Sequence, residues 1–146
     1  MPHHRMFLVE SRIRNIEAEI ERLFDHLILE EFATFHLRRP RAWMPPMDVL
    51  ETDEAYIVRL EIAGMNEQEF EITYQNGILA IRGTRAEPFV PNRRYHQVQI
   101  RYGEFFTAVR FRDALDEDRI EAEYESGFLT IWLPKRPSSP PEEPSS

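Results

Sequence analysis

Cysteine is absent from the sequence, and so are long apolar runs. Without cysteine there is no disulfide framework, no thiolate metal site and no cysteine nucleophile. No stretch approaches the roughly 18 consecutive apolar residues that a membrane-spanning helix needs. The N-terminus has one short apolar run before charge returns, which is not the pattern of a signal peptide. We therefore expect a soluble, cytoplasmic protein with no membrane partner.

Glycine is sparse, and the five glycines form no phosphate-binding loop. No serine lies in a G-x-S-x-G elbow, and His3 and His4 are adjacent at a terminus, where they are poor metal ligands. A net charge of −8 argues against a nucleic-acid partner held through phosphate contacts. The sequence therefore predicts no catalytic site, no cofactor, no metal and no nucleic-acid partner, and we expect that the protein is not an enzyme.

The first of three regions, residues 1–42, contains an amphipathic helical pattern. Apolar residues recur at steps of three and four between residues 13 and 27, with charged residues between them. The repeat is too short to predict a coiled coil. Two interpretations are open: a helix packed on its own domain, or an apolar arm that contacts other subunits or unfolded proteins. The candidate arm residues are Phe7, Leu8, Ile13, Ile16, Ile20, Leu23, Phe24, Leu27, Phe32 and Phe35.

The second region, residues 43–135, has the pattern of an all-β domain. Short alternating segments bounded by turn residues predict an antiparallel β-sandwich. Asn76-Gly77 and Ser126-Gly127 each lie between apolar alternations and predict two-residue hairpins. The predicted strands are Met47–Thr52, Ala55–Ile62, Glu69–Gln75, Ile78–Gly83, Tyr95–Arg101, Glu104–Phe111, Arg119–Glu125 and Phe128–Leu133. The third region, residues 136–146, has no large apolar residue and is expected to be a disordered polar tail.

The last predicted strand carries large apolar residues on both faces. Leu129, Ile131 and Leu133 alternate on one face, as one buried face requires. Phe128 and Trp132 then point to the opposite, acidic face. Either a local segment covers these two aromatic residues, or they form an outer contact with a subunit or an unfolded protein.

Several motifs of the β region, read in order, resemble the α-crystallin domain of small heat shock proteins. Asn76–Gly83 (NGILAIRG) is similar to the family's NG-x-L-x-I-x-G hairpin. Ile120–Lys135 (IEAEYESGFLTIWLPK) resembles its I-x-A-x-x-x-n-G-v-L-t-i-x-l-P-K strand pair. Leu60–Met65 lies where the family has a Leu-Pro-Gly turn, with Ala63 in place of proline. The resemblance implies an immunoglobulin-like antiparallel β-sandwich and an ATP-independent holdase chaperone, which binds partly unfolded proteins under heat or other stress.

The resemblance also implies two assembly sites. One is a homodimer that exchanges a strand carried on the loop containing Arg93, Arg94, Tyr95 and His96, with further homo-oligomer formation through the N-terminal arm. The other is an apolar groove with Phe70 and Ile72 on one side and Ile120 and Ala122 on the other. Relatives usually fill this groove with an Ile-x-Ile motif from a neighbour's tail.

The tail of this chain, RPSSPPEEPSS, has no Ile-x-Ile motif, which marks a divergent member of the family. The groove is then either open to unfolded client proteins or filled by an N-terminal segment such as residues 7–9. Two functions from different classes remain in view. The first is the holdase; the alternative is a β-sandwich co-chaperone or adaptor that docks on one specific protein partner.

Overall fold

The computed structural model describes residues 5–6, 10–11, 30–31, 33–39 and 41–137. Nine strands lie in this part of the chain: β1 Arg5–Met6, β2 Glu10–Ser11, β3 Met47–Glu51, β4 Ala55–Glu61, β5 Phe70–Gln75, β6 Ile78–Arg85, β7 Gly103–Arg110, β8 Glu121–Glu125 and β9 Phe128–Pro134. Short 3₁₀ turns precede β5 and β8, at Glu67–Glu69 and Glu117–Arg119. Residues 30–31 and 33–38 are helical.

The strands form two sheets that pack face to face. One has the order β1-β8-β9-β4-β3, and the other has the order β2-β5-β6-β7. All pairs are antiparallel except β2 with β5. The predicted all-β sandwich is confirmed, and its core lies between the inward faces of the two sheets.

Two hairpins fold as their turn residues predict. Asn76 and Gly77 have φ of 49° and 81°, and Ser126 and Gly127 have φ of 51° and 82°. Both central residues of each turn are therefore in the left-handed region, as in the I′ turns that match the twist of paired strands. A Cβ on Gly77 would also lie 2.6 Å from the carbonyl oxygen of Phe111. This close approach is a second reason for glycine at that position.

The β8–β9 hairpin has the register that the two-residue turn predicts. Glu125 pairs with Phe128 and Glu121 pairs with Trp132. The inward residues of β9, Leu129, Ile131 and Leu133, are fully buried. A one-residue slip would have moved all of them to the outer face, so the buried face and the turn specify the same register.

One predicted strand is wrong for the single chain. Residues 95–101 form no strand, and every residue from 86 to 101 is exposed. The local alternation is that of a strand, but a strand needs a neighbouring edge with which to exchange hydrogen bonds. Within the described residues, this segment pairs with no strand. The other seven predicted strands are present, with ends that differ by one or two residues.

Candidate functional site

The predicted groove lies along the side of the sandwich where β5 of one sheet and β8 of the other come together, each next to a two-residue edge strand, β2 and β1. Phe70 and Ile72 on β5 are buried, and so is Ala122 on β8. Ile120, immediately before β8, is partly buried against the same core. The structure therefore places all four predicted groove residues in one cluster along this side.

Tyr124 closes one end of this side. Its ring centroid lies 5.1 Å from that of Phe70 on the other sheet. The Tyr124 hydroxyl donates to the carbonyl oxygen of Ile62 at 2.7 Å and accepts from the amide of Met65 at 3.3 Å. These contacts tie β8 to the turn that leads into β5, so the distance between the two edges is fixed here.

Tyr74 lies further along the same side of β5. It is almost fully buried. Burial raises its pKa to about 12, and the negative charge of Glu117 adds to the effect. The ring is therefore a neutral, largely apolar wall at ordinary pH.

Both edges of this side are paired by the N-terminal region. β1 pairs antiparallel with β8, with Arg5 opposite Glu123 and Met6 opposite Ala122. β2 pairs parallel with β5, with Glu10 opposite Thr73 and Ser11 opposite Tyr74. Residues 7–9, which connect β1 to β2, lie outside the described residues.

Phe35 is the only predicted arm residue within the described part of the chain, and it packs on the outer face of the second sheet. Its ring lies 5.2 Å from that of Phe106 on β7, and both side chains are buried. The Nε2 atom of His36 lies 3.0 Å from the carbonyl oxygen of Phe106. The other predicted arm residues lie outside the described residues: Phe7, Leu8, Ile13, Ile16, Ile20, Leu23, Phe24, Leu27 and Phe32.

Charged contacts hold the helical residues on the same face. The Arg39 guanidinium stacks on Phe35 at 4.5 Å and forms an ion pair with Glu104. Arg82 bonds to Glu71 at 2.9 Å and reaches Glu31 at 3.2 Å. The hydrogen bond that Arg82 donates to Glu71 is the largest cause that raises the pKa of Arg82, and Glu31 adds to it. All five ion-pairing side chains remain partly exposed, so they orient the helix more than they stabilise it.

Trp43 lies along the outer edge of β7. It forms an isolated bridge with Phe105, and its indole nitrogen donates to the carbonyl oxygen of Gly103 at 3.3 Å. The Arg85 guanidinium stacks on the Trp43 ring at 4.5 Å. Sequence reasoning missed Phe106, on which Phe35 docks, and Trp43, which belongs to the core. The pair Phe105-Phe106 carried a signal, because two consecutive large aromatic residues break the alternation of a strand with one exposed face.

The predicted strand-exchange loop projects apolar side chains into solvent. Phe89, Val90, Tyr95, Val98 and Ile100 are all more than half exposed. Its base is anchored, because Arg85 Nε donates to the carbonyl oxygen of Arg101 at 2.8 Å. The loop residues Arg93, Arg94 and His96 are exposed as well.

The loop also has internal contacts, near its tip. Arg93 lies 3.8 Å from Glu87 and stacks over the ring of Tyr95. The Tyr95 hydroxyl donates to Glu87 as well. The segment is thus ordered locally while its apolar side chains stay uncovered.

Edge strand β3 has a complementary set of exposed apolar groups. Val49 and Leu50 are 42% and 44% exposed. In the described structure β3 pairs only with β4, so its outer edge is free of strand partners. An extended segment could add to it by main-chain hydrogen bonds.

The two outward aromatic residues of β9 lie where the sequence predicts. Phe128 is 44% exposed, and Trp132 is partly exposed. Trp132 pairs with Ile57 of β4, which in turn pairs with Leu50 of β3. A row of apolar side chains therefore crosses the outer face of this sheet and reaches the β3 edge.

The described part of the chain contains no group of three or more metal-ligating side chains. In the same residues, no helix has the length and apolar character needed to cross a bilayer. The arrangement offers edges and apolar surfaces for binding other polypeptides.

These features define an immunoglobulin-like antiparallel β-sandwich with apolar side chains exposed on the β3 edge and on an outer face. A family model described as "Hsp20/alpha crystallin family" matches residues 48–146. The chain belongs to the Hsp20/alpha crystallin family.

Named relatives agree with this assignment. Spore protein SP21 of Stigmatella aurantiaca (strain DW4/3-1) is 32% identical over 104 residues, which are 70% of this chain and 62% of that protein. The match thus spans less than two thirds of the spore protein. Heat shock protein HSP.16.4 of Streptococcus thermophilus is 33% identical over 129 residues, which are 86% of this chain and 89% of the relative. The structure of a small heat-shock protein from Xylella fastidiosa has a TM-score of 0.63 and 27% identity, covering 71% of this chain and 96% of that one.

Proposed function

We propose that this protein is an ATP-independent holdase, which binds partly unfolded proteins and prevents their aggregation under heat or other stress. The observation that carries the proposal is the row of apolar side chains on the outer face of a family member's sheet, which runs through Trp132, Ile57 and Leu50, the last of them 44% exposed. Such patches mark sites of contact with other polypeptides. Family membership supports a chaperone role and a protein that is not an enzyme. The cytoplasmic location stays a prediction.

The loop and the β3 edge support a homodimer formed by strand exchange. Residues 95–101 have the alternation of a strand but no partner in their own chain, and β3 presents a free edge with Val49 and Leu50 exposed. Adding the loop of one subunit to β3 of another would satisfy both sets of main-chain groups. A loop of this length without secondary structure is unusual inside one compact domain and common where it has a binding role.

Larger assembly through the N-terminal arm is part of the proposal. The solved structure of the X. fastidiosa protein is described as revealing a distinct high order structure. An apolar arm can supply contacts of the same kind to subunits and to clients. Each large side chain that becomes buried contributes about 1.5–3 kcal/mol, so a few contacts without sequence specificity suffice for capture.

Phe35 is docked on the second sheet, whereas a free arm would leave it exposed. Because it is buried against Phe106, it can reach a client only when the helical residues leave the sheet. The arm therefore divides, in this proposal, into a docked part at residues 33–39 and a client-binding part that precedes it. Deletion of residues 1–29 should reduce client protection while the docked part stays in place.

The competing proposal is an adaptor that docks on one protein partner. An immobilised full-length chain should discriminate between the two in lysate from heated and unheated cells. A holdase retains many proteins after heating, whereas an adaptor retains one stoichiometric partner under both conditions. Retention of a single partner, together with failure to protect two unrelated heat-labile enzymes, would reject the holdase.

A further inference from the structure

Arg85 lies where the long loop between β6 and β7 leaves the sandwich. The ladder between these strands ends with Arg85 opposite Gly103, so residues 86–102 form the connection. The chain enters β7 with a φ of 96° at Gly103, a backbone conformation that favours glycine. Arg85 and residues 101–103 therefore form the neck of the loop, the place where its direction is set.

The guanidinium of Arg85 binds main-chain groups beyond the last ladder pair. Its Nε atom donates to the carbonyl oxygen of Arg101 at 2.8 Å, and its Nη2 atom donates to the same oxygen. Its Nη1 atom donates to the carbonyl oxygen of Ala63 at 3.3 Å, in the connection between β4 and β5. A planar group with several donors in fixed directions suits this role. One side chain thus joins both ends of the loop to a turn of the sandwich.

Two aromatic rings hold the same guanidinium in place. It lies 4.5 Å from the ring centroid of Trp43 and 5.5 Å from that of Tyr102, within the range of cation–π contact. Trp43 is itself fixed, because its ring is buried and its indole nitrogen donates to the carbonyl oxygen of Gly103. The ring contacts and the three hydrogen bonds together restrict Arg85 far more than a surface ion pair would.

We infer that Arg85 is a positioning residue for strand exchange: it holds the neck of the loop, so that residues 95–101 leave the subunit in one direction, toward a partner. The inference deepens the proposed function, because it rests on the strand-exchanged dimer and names a residue that prepares it. A loop with a fixed neck loses less conformational freedom when it binds a partner's edge. Without Arg85 the loop samples more directions, and dimer formation costs more.

Limited trypsin digestion tests whether Arg85 holds the neck. The peptide bond after Arg101 is a tryptic site whose carbonyl oxygen accepts from Arg85, whereas the bond after Arg94 lies in the exposed part of the loop. The ratio of the two cleavage rates, followed by mass spectrometry, reports on the neck with an internal reference. All chains in this experiment carry Val98→Asp, so that no partner's edge holds the loop.

Arg85→Ala should raise cleavage after Arg101, relative to cleavage after Arg94, at least about fivefold, because cleavage follows the population of the open neck. Arg82→Ala is the matched control. It lies on the same strand and also removes one tryptic site, but in the described structure its side chain bonds to two glutamates and to no loop residue. An unchanged ratio in Arg85→Ala, or an equal rise in both variants, would overturn the inference.

Arg85→Lys is a second variant that keeps the positive charge and the tryptic site. An ammonium lacks the planar fork of a guanidinium, so it cannot reproduce the hydrogen bonds to Arg101 and Ala63 together with the ring stacking. The cleavage ratio should rise in this variant too, while the urea midpoint matches that of the control. Complete protection after Arg101 would contradict the bridging role of the guanidinium.

Light scattering across a concentration series, on chains without Val98→Asp, tests the positioning role. Arg85→Ala should weaken the dimer at least about threefold, because a freer loop is more costly to order. Arg82→Ala should leave the dimer unchanged. Faster cleavage together with an unchanged dimer in Arg85→Ala would overturn the positioning role alone, whereas a natural chain that forms no dimer would overturn the proposed strand exchange as well.

Discussion

The rings of Phe35 and Phe106 lie 5.2 Å apart, and this contact joins the helical residues of the N-terminal region to the outer face of the second sheet. Phe106 points away from the sandwich core, yet it is only 2% exposed because the helix covers it. The contact therefore separates a docked part of the arm from the residues that precede it.

Phe35→Ala should release the docked helix without unfolding the sandwich. Losing a buried phenylalanine ring costs about 3–5 kcal/mol when the site cannot relax. The loss is smaller here because the helix can leave the sheet. We therefore expect the free energy of docking to fall by about 2 kcal/mol, which raises the undocked population about 30-fold. Tryptic cleavage after Arg38 should accelerate accordingly. Leu37→Ala is the matched control, because Leu37 lies in the same helix and is 81% exposed. Equal cleavage rates in the two variants would contradict the docking.

Val98→Asp should weaken the proposed strand-exchanged dimer. Val98 is 69% exposed in the single chain, and it would be buried against the partner's β3. Loss of that burial and the cost of covering a carboxylate should weaken the dimer at least about tenfold. Light scattering across a concentration series measures the change.

Val90→Asp is the control for this variant. Val90 lies in the same loop and is 54% exposed, but it precedes the predicted strand. Its dimer should match that of the natural chain. If both aspartate variants keep the natural dimer affinity, residues 95–101 do not form the exchanged strand.

Trp132→Thr should leave the fold intact while changing oligomer size or client protection. Threonine suits a strand, and the side chain is on the outer face, so the core residues Ile131 and Leu133 stay buried. Circular dichroism checks the fold, and light scattering with an aggregation assay checks the other two properties. Thr130→Ser, on the same face of β9, is the control. An unchanged oligomer and unchanged protection would mean that Trp132 serves only local packing.

Stability should fall at alkaline pH because of Tyr56. A hydrogen bond to Asp113 at 2.9 Å is the main cause that raises the pKa of Tyr56 to about 12. A tyrosine in the unfolded chain loses its proton near pH 10. The unfolded state is thus favoured progressively as pH rises from about 10 to about 12. The stabilisation that protonated Tyr56 gives the folded state is fully present below about pH 10 and is lost across this range.

Urea midpoints at pH 8, 9, 10 and 11 measure this effect. Tyr56→Phe should show a shallower fall than the natural chain, because it has one tyrosine fewer with a raised pKa. Tyr74, whose pKa is also raised to about 12, should keep part of the slope in both proteins. An identical fall in the natural chain and in Tyr56→Phe would reject the assignment to Tyr56.

The parts of the fold that the sequence predicts are those that depend on local chemistry. Asn76-Gly77 and Ser126-Gly127 are residue pairs that favour positive φ at both turn positions, so the hairpins and the register of β8 with β9 follow. The alternation of Leu129, Ile131 and Leu133 likewise needs only one buried face.

The features that sequence reasoning missed depend on what lies across from a residue. Residues 95–101 have a strand's alternation, but the sequence does not reveal that no edge of the same chain receives them. The aromatic residue Phe106 indicates that the outer face is covered, but the sequence does not show that Phe35 is the residue that covers it. The groove residues came from the family resemblance, whereas the pairing of β1 and β2 with its edges is a tertiary fact.

Holdase activity is tested most directly by heat-induced light scattering of a thermolabile enzyme mixed with the full chain at substoichiometric to equimolar ratios, without ATP. The account predicts a dose-dependent loss of scattering, with near-complete suppression at equimolar ratio and much weaker suppression by a chain lacking residues 1–29. Scattering that stays the same at every ratio, from a chain with the circular dichroism of a folded β-sandwich, would contradict it.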